Sequence, residues 1–235
     1  MKLVAFVLAA GVLASAAAAG PGRQQLAGVN FVSNCRFSHR APDDPIVFPG
    51  QSGKSHDHSF VGNVSTNASS TLDSMRAAST TCRRPADTAG YWMPTLLVNG
   101  NPVAPQGATI YYRRRSLDRV RPFPAGFKMV AGNSHATSPQ DLRVTYWNCG
   151  PLAGMPPSST VPTCPDAARS GLRLHVNFPD CWDGSSLDSA DHQSHMAYST
   201  QHRCPASHPV AVPAISLIYH YPVAGGSNVE LASMG

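Results

Sequence analysis

The sequence predicts a mostly β domain, a β-sandwich or jelly-roll-like arrangement with long loops, a few short helices and disulfide staples. Three observations predict this fold. Short apolar or aromatic runs recur along the chain, separated by Pro, Gly, Asn, Asp and Ser. The 235 residues include only three Lys and one Glu, residues in which long helices are rich. The chain also contains six cysteines, an even number that suits a disulfide framework.

Composition also separates this chain from disordered proteins. Charged residues make up 13% of the chain and apolar residues 42%. A chain with so few charges and a normal apolar fraction can bury enough surface to offset its conformational entropy. A folded domain is therefore expected.

Seven segments are predicted as strands because each is a short apolar or aromatic run between turn-forming residues. They are 30–37, 91–98, 109–113, 127–131, 142–148, 172–178 and 215–221. Apolar and polar residues alternate along 172–178, so one face of that strand is expected in the core and His175 on the other. Segment 215–221 is apolar on both faces except at His220, which is typical of a central strand. Short helices are predicted over 185–198 and near Leu72.

The first nineteen residues have the pattern of a secretory signal peptide. Lys2 precedes an apolar run that ends in three alanines, which predicts cleavage after Ala19. An uncleaved anchor is disfavoured because the end of this run is only weakly apolar. We therefore expect a secreted, extracellular protein with no transmembrane segment after cleavage. The expected organisation is a signal peptide over 1–19, a short segment over 20–28, one domain over 29–222 and a tail over 223–235.

Export exposes the six cysteines to an oxidising environment, which predicts three disulfides. Many pairings are possible in principle, and we expect nearest neighbours to pair because each pair closes a modest loop. These pairs are Cys35 with Cys82, Cys149 with Cys164, and Cys181 with Cys204. The sequence has no C-x-x-C, so a thiolate zinc site or a thioredoxin-type redox centre is disfavoured.

The formal net charge is +5, and the surplus is arginine that is densest over 113–115, with Arg119 and Arg121 close by. Such a patch suits nucleic acid or an acidic polysaccharide. A solvated strand end is the favoured interpretation, because export makes DNA an improbable partner and no nucleic-acid motif accompanies the patch. We expect no nucleic-acid partner and a monomeric protein.

Three polar segments are candidates for a functional site. The first contains His56 and His58, whose H-x-H spacing places two imidazoles on one face of an extended backbone. The second, 178–184, follows the best predicted strand and contains Trp182 and Asp183. The third, 188–196, places Asp and His residues on one face if it is helical.

Two chemistries fit these segments. In the first, a divalent metal, zinc or copper, is bound by imidazoles, and the candidate ligands are His56, His58, His192 and His195. In the second, Asp and His act as general acid and base without a metal. The candidate catalytic residues are His58, Asp183, Asp191 and His192. Taken singly, each histidine is more often structural than a ligand, and both chemistries require the segments to converge.

Aromatic residues near these segments suggest a sugar-stacking wall, for which the candidates are Tyr91, Trp182 and Tyr198; core packing is the alternative. The leading hypothesis is a carbohydrate-active, hydrolytic enzyme, metal-dependent or not, that acts on extracellular polysaccharide or cell-wall glycan. A non-catalytic glycan-binding or cell-surface module and a histidine-rich metal-binding protein are the alternatives.

Long stretches of the chain resemble a known family. They include FVSNCRFSHRAPDDPIVFPGQSGKSHDHSFVGN, YWMPTL, PFPAGFKMVAG, HVNFPDCWDG, LDSADHQSHMAY and CPASHPVAVPAISLIYHYP. Together they resemble the domain-of-unknown-function family nineteen ninety-six, found in exported fungal and bacterial proteins. The resemblance implies export and a domain without an assigned activity. It also implies that these residues belong to family motifs: His56, Asp57, His58, Asp180, Trp182, Asp183, Asp188, Asp191, His192 and His195.

Overall fold

The structure is a computed structural model, and it describes residues 30–234. The predicted signal peptide over 1–19 and the segment 20–28 lie outside the described residues. The strands, in chain order, are β1 (Asn30–Ala41), β2 (His58–Gly62), β3 (Gly90–Pro94), β4 (Leu96–Val98), β5 (Asn101–Val103), β6 (Gly107–Arg113), β7 (Thr145–Cys149), β8 (Leu172–Asn177), β9 (Cys181–Trp182), β10 (Met196–Ala197), β11 (Val210–Ala211), β12 (Ala214–His220) and β13 (Val229–Leu231). The helices are α1 (Leu72–Ala77) and α2 (Ala167–Ser170).

A seven-stranded antiparallel sheet carries most of the domain, in the order β3-β2-β1-β6-β12-β8-β7. The long strand β1 belongs to two parts of it. Its first half, Asn30 to Arg36, pairs with β6, and its second half, from Phe37 onward, pairs with β2. The register shifts between Phe37 and His39, and a bulge of this kind bends a strand and increases its twist.

The hydrophobic core lies between the two parts of this curled sheet. Along β6, β12 and β8 every second side chain is buried in it, as with Ile110, Leu217 and Leu174. Residues of β2 and β3, such as Val61 and Met93, belong to the same cluster. The side chains between the buried ones form what we call the polar face. It consists of Thr109, Tyr111, Arg113, Tyr146, Asn148, Arg173, His175, Asn177, Ser216, Ile218 and His220.

Two three-stranded sheets complete the domain, in the orders β13-β4-β5 and β10-β9-β11. Four apolar residues of the first, Val98, Val103, Val229 and Leu231, pack against the core. Strand β13 falls within 223–235, the segment expected to form a tail, and it pairs antiparallel with β4.

The three disulfides join nearest neighbours as predicted: Cys35 to Cys82, Cys149 to Cys164, and Cys181 to Cys204. In the chain-entropy model, a loop such as the 15-residue one closed by Cys149 and Cys164 contributes about 3 kcal/mol. The prediction of a mostly β, disulfide-linked domain with long loops is confirmed.

Six of the seven predicted strand segments contain strands. Segment 91–98 is divided at Thr95 between β3 and β4, which belong to different sheets. Segment 127–131 is not a strand, because its backbone N–H groups donate to the loop carbonyls of Leu187 and His192 instead of joining a ladder. The strands that were not predicted are β2, β5, β9, β10, β11 and β13.

The helix near Leu72 is confirmed: α1 begins after Thr71, whose side chain and that of Ser74 form a reciprocal capping box. The prediction of a helix over 185–198 is wrong. Asp183, just before this segment, and Asp191, inside it, accept hydrogen bonds from backbone N–H groups two or three residues ahead, which stabilises turns in place of a helix. His192 also has a φ of 58°, outside the helical region.

Within the part of the chain that the structure describes, no helix has the length and apolar character needed to cross a bilayer.

A buried hydroxyl holds the two parts of the curled sheet together, and it can be tested. The Tyr219 hydroxyl lies 2.8 Å from the Ser59 carbonyl oxygen and 3.0 Å from that of Tyr91, and its single proton is shared between these two acceptors. We expect Tyr219→Phe to lower the free energy of unfolding by about 1 to 3 kcal/mol, because two buried carbonyl groups lose a donor. Urea denaturation with the disulfides intact measures the change.

Tyr221→Phe is the matched control. The Tyr221 hydroxyl is buried and has no hydrogen-bond partner among the described residues, so its removal should leave stability unchanged or raise it. Equal losses in the two variants would contradict the role assigned to the Tyr219 hydroxyl.

Candidate functional site

His56 and His58 lie side by side where β2 begins. Their ring centroids are 4.3 Å apart. His58 is buried, and its Nδ1 lies 3.0 Å from the Asp43 carbonyl oxygen, so Nδ1 carries the proton and donates it. This tautomer leaves the lone pair on Nε2. The Nε2 of His56 is buried and has no hydrogen-bond partner among the described residues.

Both imidazoles of this pair are neutral at pH 7. Burial, followed by the neighbouring His56, lowers the pKa of His58 to about 4. Burial also lowers the pKa of His56, with a contribution in the same direction from His135. A neutral imidazole with a free nitrogen is the form that binds a metal ion.

Asp183 and Asp191 stabilise turns. Partial burial acts to raise the pKa of Asp183, but hydrogen bonds from the backbone N–H groups of Ser185 and Ser186 outweigh it and hold the pKa at about 2. The backbone N–H of Ser194, the Ser189 hydroxyl and further donors keep the pKa of Asp191 well below its usual range. Both carboxyl groups are ionised near neutral pH and have no proton to donate as general acids.

His192 pairs with Asp188, not with Asp191. Asp188 Oδ1 lies 2.8 Å from His192 Nδ1, and both side chains are partly exposed. A carboxylate in this position orients the imidazole and fixes its tautomer, which leaves Nε2 as the nitrogen available for chemistry.

His195 is buried, and protein groups contact both of its ring nitrogens. Nδ1 lies 2.8 Å from the Ser189 hydroxyl, and Nε2 lies 2.8 Å from the Lys128 carbonyl oxygen, to which it donates. A metal ion could bind here only by displacing one of these partners. Trp182 lies close by, with its Nε1 donating to the Ser186 carbonyl at 2.7 Å.

The four predicted metal ligands do not gather at one point. Among residues 30–234, the one group of three His, Cys, Asp or Glu side chains with ligand atoms within 4.8 Å of one another is Cys35, Cys82 and Asp87. Its two cysteines form a disulfide and offer no thiolate. No three of His56, His58, His192 and His195 therefore lie close enough to share one ion.

Tyr91 lies in the core. Only 8% of its surface is exposed, and its hydroxyl contacts Asp87 and Tyr112. Burial, followed by the neighbouring Tyr112 and Asp87, raises its pKa well above the usual range. Its ring is covered by protein and is not free to stack on a sugar.

A groove of about 770 Å³ lies over the polar face of the large sheet. We define the sheet-face groove by seven of its lining residues: Tyr111, Arg113, Arg115, Tyr146, His175, Asn177 and Tyr198. Tyr198 is 37% exposed and is the predicted sugar-stacking residue that lines it. Its hydroxyl donates to the Asn177 carbonyl at 2.7 Å, and burial raises its pKa to about 12.

Protein contacts hold the other aromatic rings of the groove in place. The Arg113 guanidinium lies 4.2 Å from the centre of the Tyr111 ring, a cation–π arrangement. The rings of Tyr146 and His175 are stacked with centroids 4.2 Å apart. Each tyrosine thus has one face occupied by its neighbour, so its orientation is set before any ligand binds.

His175 is an uncharged member of the groove. Burial, followed by the neighbouring Arg173, His220 and Arg113, lowers its pKa to about 3. Its Nε2 donates to Asn148 Oδ1 at 2.9 Å. On the neighbouring strand, burial and Arg173 lower the pKa of His220 to about 4.

One carboxylate lines the groove. Asp180 is 2% exposed, and its Oδ1 accepts from the Ser199 backbone N–H at 2.9 Å. Its Oδ2 is buried and has no hydrogen-bond partner among the described residues.

Sequence reasoning missed most of this groove, although two signals pointed to it. The sequence favours a solvated strand end for the arginine cluster, whereas Arg113, Arg114 and Arg115 line the groove in the structure. The alternation along β8 indicated that His175 faces away from the core, which the structure confirms. Tyr146 lies outside every quoted stretch, and Asn177, although it lies in HVNFPDCWDG, was not among the candidate residues.

Residues 44–232 match the family model of a domain of unknown function (DUF1996). The chain belongs to this family. The match spans all the candidate residues named above, from His56 to Tyr198, and confirms the predicted resemblance. No curated protein and no solved structure matches the chain. For this DUF1996 domain, the geometry of the site therefore carries the functional argument.

The buried histidines make the stability of this DUF1996 domain depend on pH. Histidine has a pKa of about 6.5 in an unfolded chain, whereas that of His175 is about 3 and that of His58 about 4. Between these values the unfolded state binds more protons than the folded state. The contribution of these histidines to the free energy of unfolding is therefore fully present above pH 6.5 and falls as the pH drops toward 4. We expect His175→Gln to flatten this slope by about 1 kcal/mol per pH unit.

Urea denaturation of wild type and variant at intervals from pH 7.5 to pH 4 measures the two slopes. The carboxyl groups with lowered pKa values, such as Asp183, lose their contribution to stability from about pH 5 downward. They titrate in both proteins, so the difference between the two slopes still reports His175. Identical slopes in the two proteins would show that His175 does not remain neutral in the folded state.

Proposed function

We propose that this protein is a secreted glycan-binding domain whose binding site is the sheet-face groove. The observation that carries the proposal is the pairing of oriented tyrosine rings with hydrogen-bonding side chains on an open sheet face. Sugars have apolar ring faces and hydroxyl edges, so they bind where aromatic rings and polar groups lie together.

The groove offers both types of contact. Tyr111, Tyr146 and Tyr198 supply aromatic surface. Arg115, with its five N–H donors, supplies polar groups for a ligand. Asn177 is buried, and its amide already bonds to the Ser216 hydroxyl and the Arg143 carbonyl. Because Arg113 and His175 already hold two of the rings, a sugar would bind without the entropic cost of ordering them.

Binding without hydrolysis fits this groove better than catalysis. Glycoside hydrolysis generally needs two carboxyl groups flanking the scissile bond, one of them protonated. Asp180 is the single acidic residue that lines the groove, and it is buried. Asp183 and Asp191, candidates for the acid, are held ionised by hydrogen bonds within their own loops.

Three disulfides support the extracellular part of the proposal, because such bonds persist mainly in oxidising compartments.

Glycan binding is tested with the purified protein on a panel of soluble polysaccharides, by affinity electrophoresis and titration calorimetry. We expect Tyr146→Ala and Tyr198→Ala each to weaken binding about tenfold, because each removes a stacking surface. Phe31→Ala is the control, since Phe31 is an exposed aromatic residue outside the groove. New reducing ends released from a bound glycan, or undiminished binding by both tyrosine variants, would overturn the proposal.

The His56 and His58 pair favours a second function, the binding of one zinc or copper ion. His58 has its tautomer fixed by the Asp43 carbonyl, as is usual for a metal-bound imidazole, and His56 has a buried nitrogen without a partner. Water or a nearby side chain would complete the coordination. His192 and His195 are not part of this narrower site, because no three of the four histidines share a common point.

Elemental analysis of the purified protein, with zinc and copper titrations, tests this second function. We expect close to one equivalent of metal in the wild type, its loss in His56→Ala, and its retention in His192→Ala. A correctly folded wild type that takes up no metal, or equal loss in both variants, would refute a site at the His56 and His58 pair.

A further inference from the structure

The charges that line the sheet-face groove are strongly unequal. Four arginines line it, against the single carboxylate of Asp180. Two of the four are already engaged. Arg143 forms an ion pair with Asp141 at 2.6 Å, and Arg114 donates to the backbone carbonyls of Ser116, Leu117 and Asp118.

Arg113 and Arg115 have no such partner. Neither forms an ion pair with a carboxylate in the described part of the chain. Arg115 NH2 makes only long contacts, 3.4 Å to Asn177 Oδ1 and 3.5 Å to Ser216 Oγ. Most of the N–H donors of these two guanidinium groups are therefore free for a ligand.

The two free guanidinium groups line the same groove, and both lie within electrostatic range of Tyr146. Arg113 lies over the Tyr111 ring, and the positive charges of Arg113 and Arg115 both act on the Tyr146 hydroxyl, where they oppose the burial that raises its pKa. Both side chains are half-buried, so water screens their charges less than at an open surface.

Among the described residues, no other side chain on this face neutralises the charge. His175 and His220 are neutral, and half-buried Arg173 adds a third positive side chain directly across from His220 in the neighbouring strand. Asp180 is the one carboxyl group among the described residues that line the groove, against two free guanidinium groups. A half-buried cation without a partner is costly, and an incoming anion relieves that cost.

We infer that the sheet-face groove recognises acidic polysaccharides, in which a carboxylate or sulfate group is bound by Arg113 and Arg115 while a sugar ring lies against the tyrosines. The planar guanidinium fork matches a carboxylate or sulfate through two parallel hydrogen bonds. This inference rests on the proposed glycan-binding function and names its ligand class.

The test compares three probes on the wild-type protein: polygalacturonate, which carries carboxylates, dextran sulfate, and uncharged dextran. At low salt we expect at least one acidic probe to bind ten times or more tightly than dextran, and the better of the two identifies the anionic group. Raising the NaCl concentration to several hundred millimolar should weaken that binding, because the Debye length falls from about 10 Å at 0.1 M toward about 3 Å at 1 M.

Substitutions separate the groove from general electrostatic attraction. Arg113→Gln and Arg115→Gln should each weaken binding of the better acidic probe about tenfold, and Arg113→Lys should restore part of it by returning the charge. Arg76→Gln is the control, because Arg76 is an exposed arginine in the last turn of α1 whose loss changes the net charge equally. Thermal unfolding of each variant checks that the fold is intact.

Three outcomes would overturn the inference. If dextran binds as tightly as the acidic probes and remains sensitive to Tyr146→Ala, the glycan-binding function stands and its acidic specificity fails. If Arg76→Gln weakens acidic binding as much as the groove variants do, the attraction comes from net charge alone. If no glycan of the panel binds at all, the proposed function and this inference fail together.

Discussion

The bend in β1 is the constraint on which the rest of the molecule depends. In a flat sheet, β12 and β2 would lie three strand spacings apart, roughly 14 Å. Yet the Tyr219 hydroxyl on β12 lies 2.8 Å from the Ser59 carbonyl on β2. The sheet must curl for this contact to form, and the register shift between Phe37 and His39 is where β1 passes from one part to the other. The core is enclosed by that curl.

The same curl leaves the opposite side of β6, β12 and β8 for the groove. The pairing register of these strands decides which side chains enter the core and which line the groove. Strand β12 pairs with β6 over seven residues, from Ala214 opposite Arg113 to His220 opposite Gly107. Because side chains alternate, a slip of one residue would turn buried Leu217 outward and bring Ser216 into the core. This register requires glycine at position 107, because a Cβ there would overlap the Cys35 carbonyl oxygen of β1 and because its φ is 154°. Burial of the core therefore fixes the positions of the groove residues.

Local patterns predicted much of the fold but little of the groove. Apolar runs located most strands, and modest loop lengths led to the correct cysteine pairs. The wrong helix prediction over 185–198 also has a local cause. Asp side chains in and just before this segment accept hydrogen bonds from nearby backbone N–H groups, and this competes with helix formation in a way that the spacing of residues does not reveal. The groove is a different matter. Its residues Arg113, Tyr146 and His175 lie on β6, β7 and β8. They share one face because β12 pairs with both β6 and β8 and so joins them in a single sheet. No spacing along the chain encodes that order.

The positive charge of the groove follows from how this chain uses its few carboxylates. It has 13 acidic against 18 basic side chains, and all but one of the acidic residues are aspartates. Many of these aspartates accept hydrogen bonds from backbone N–H groups of loops, as Asp43, Asp44, Asp183 and Asp191 do. A loop-rich fold needs such bonds, because backbone donors in turns must be satisfied. Carboxylates held in loops are not placed to neutralise arginines on a sheet face. The loops thus leave Arg113 and Arg115 without a carboxylate partner. A ligand that pairs with these two guanidinium groups must itself carry the negative charge.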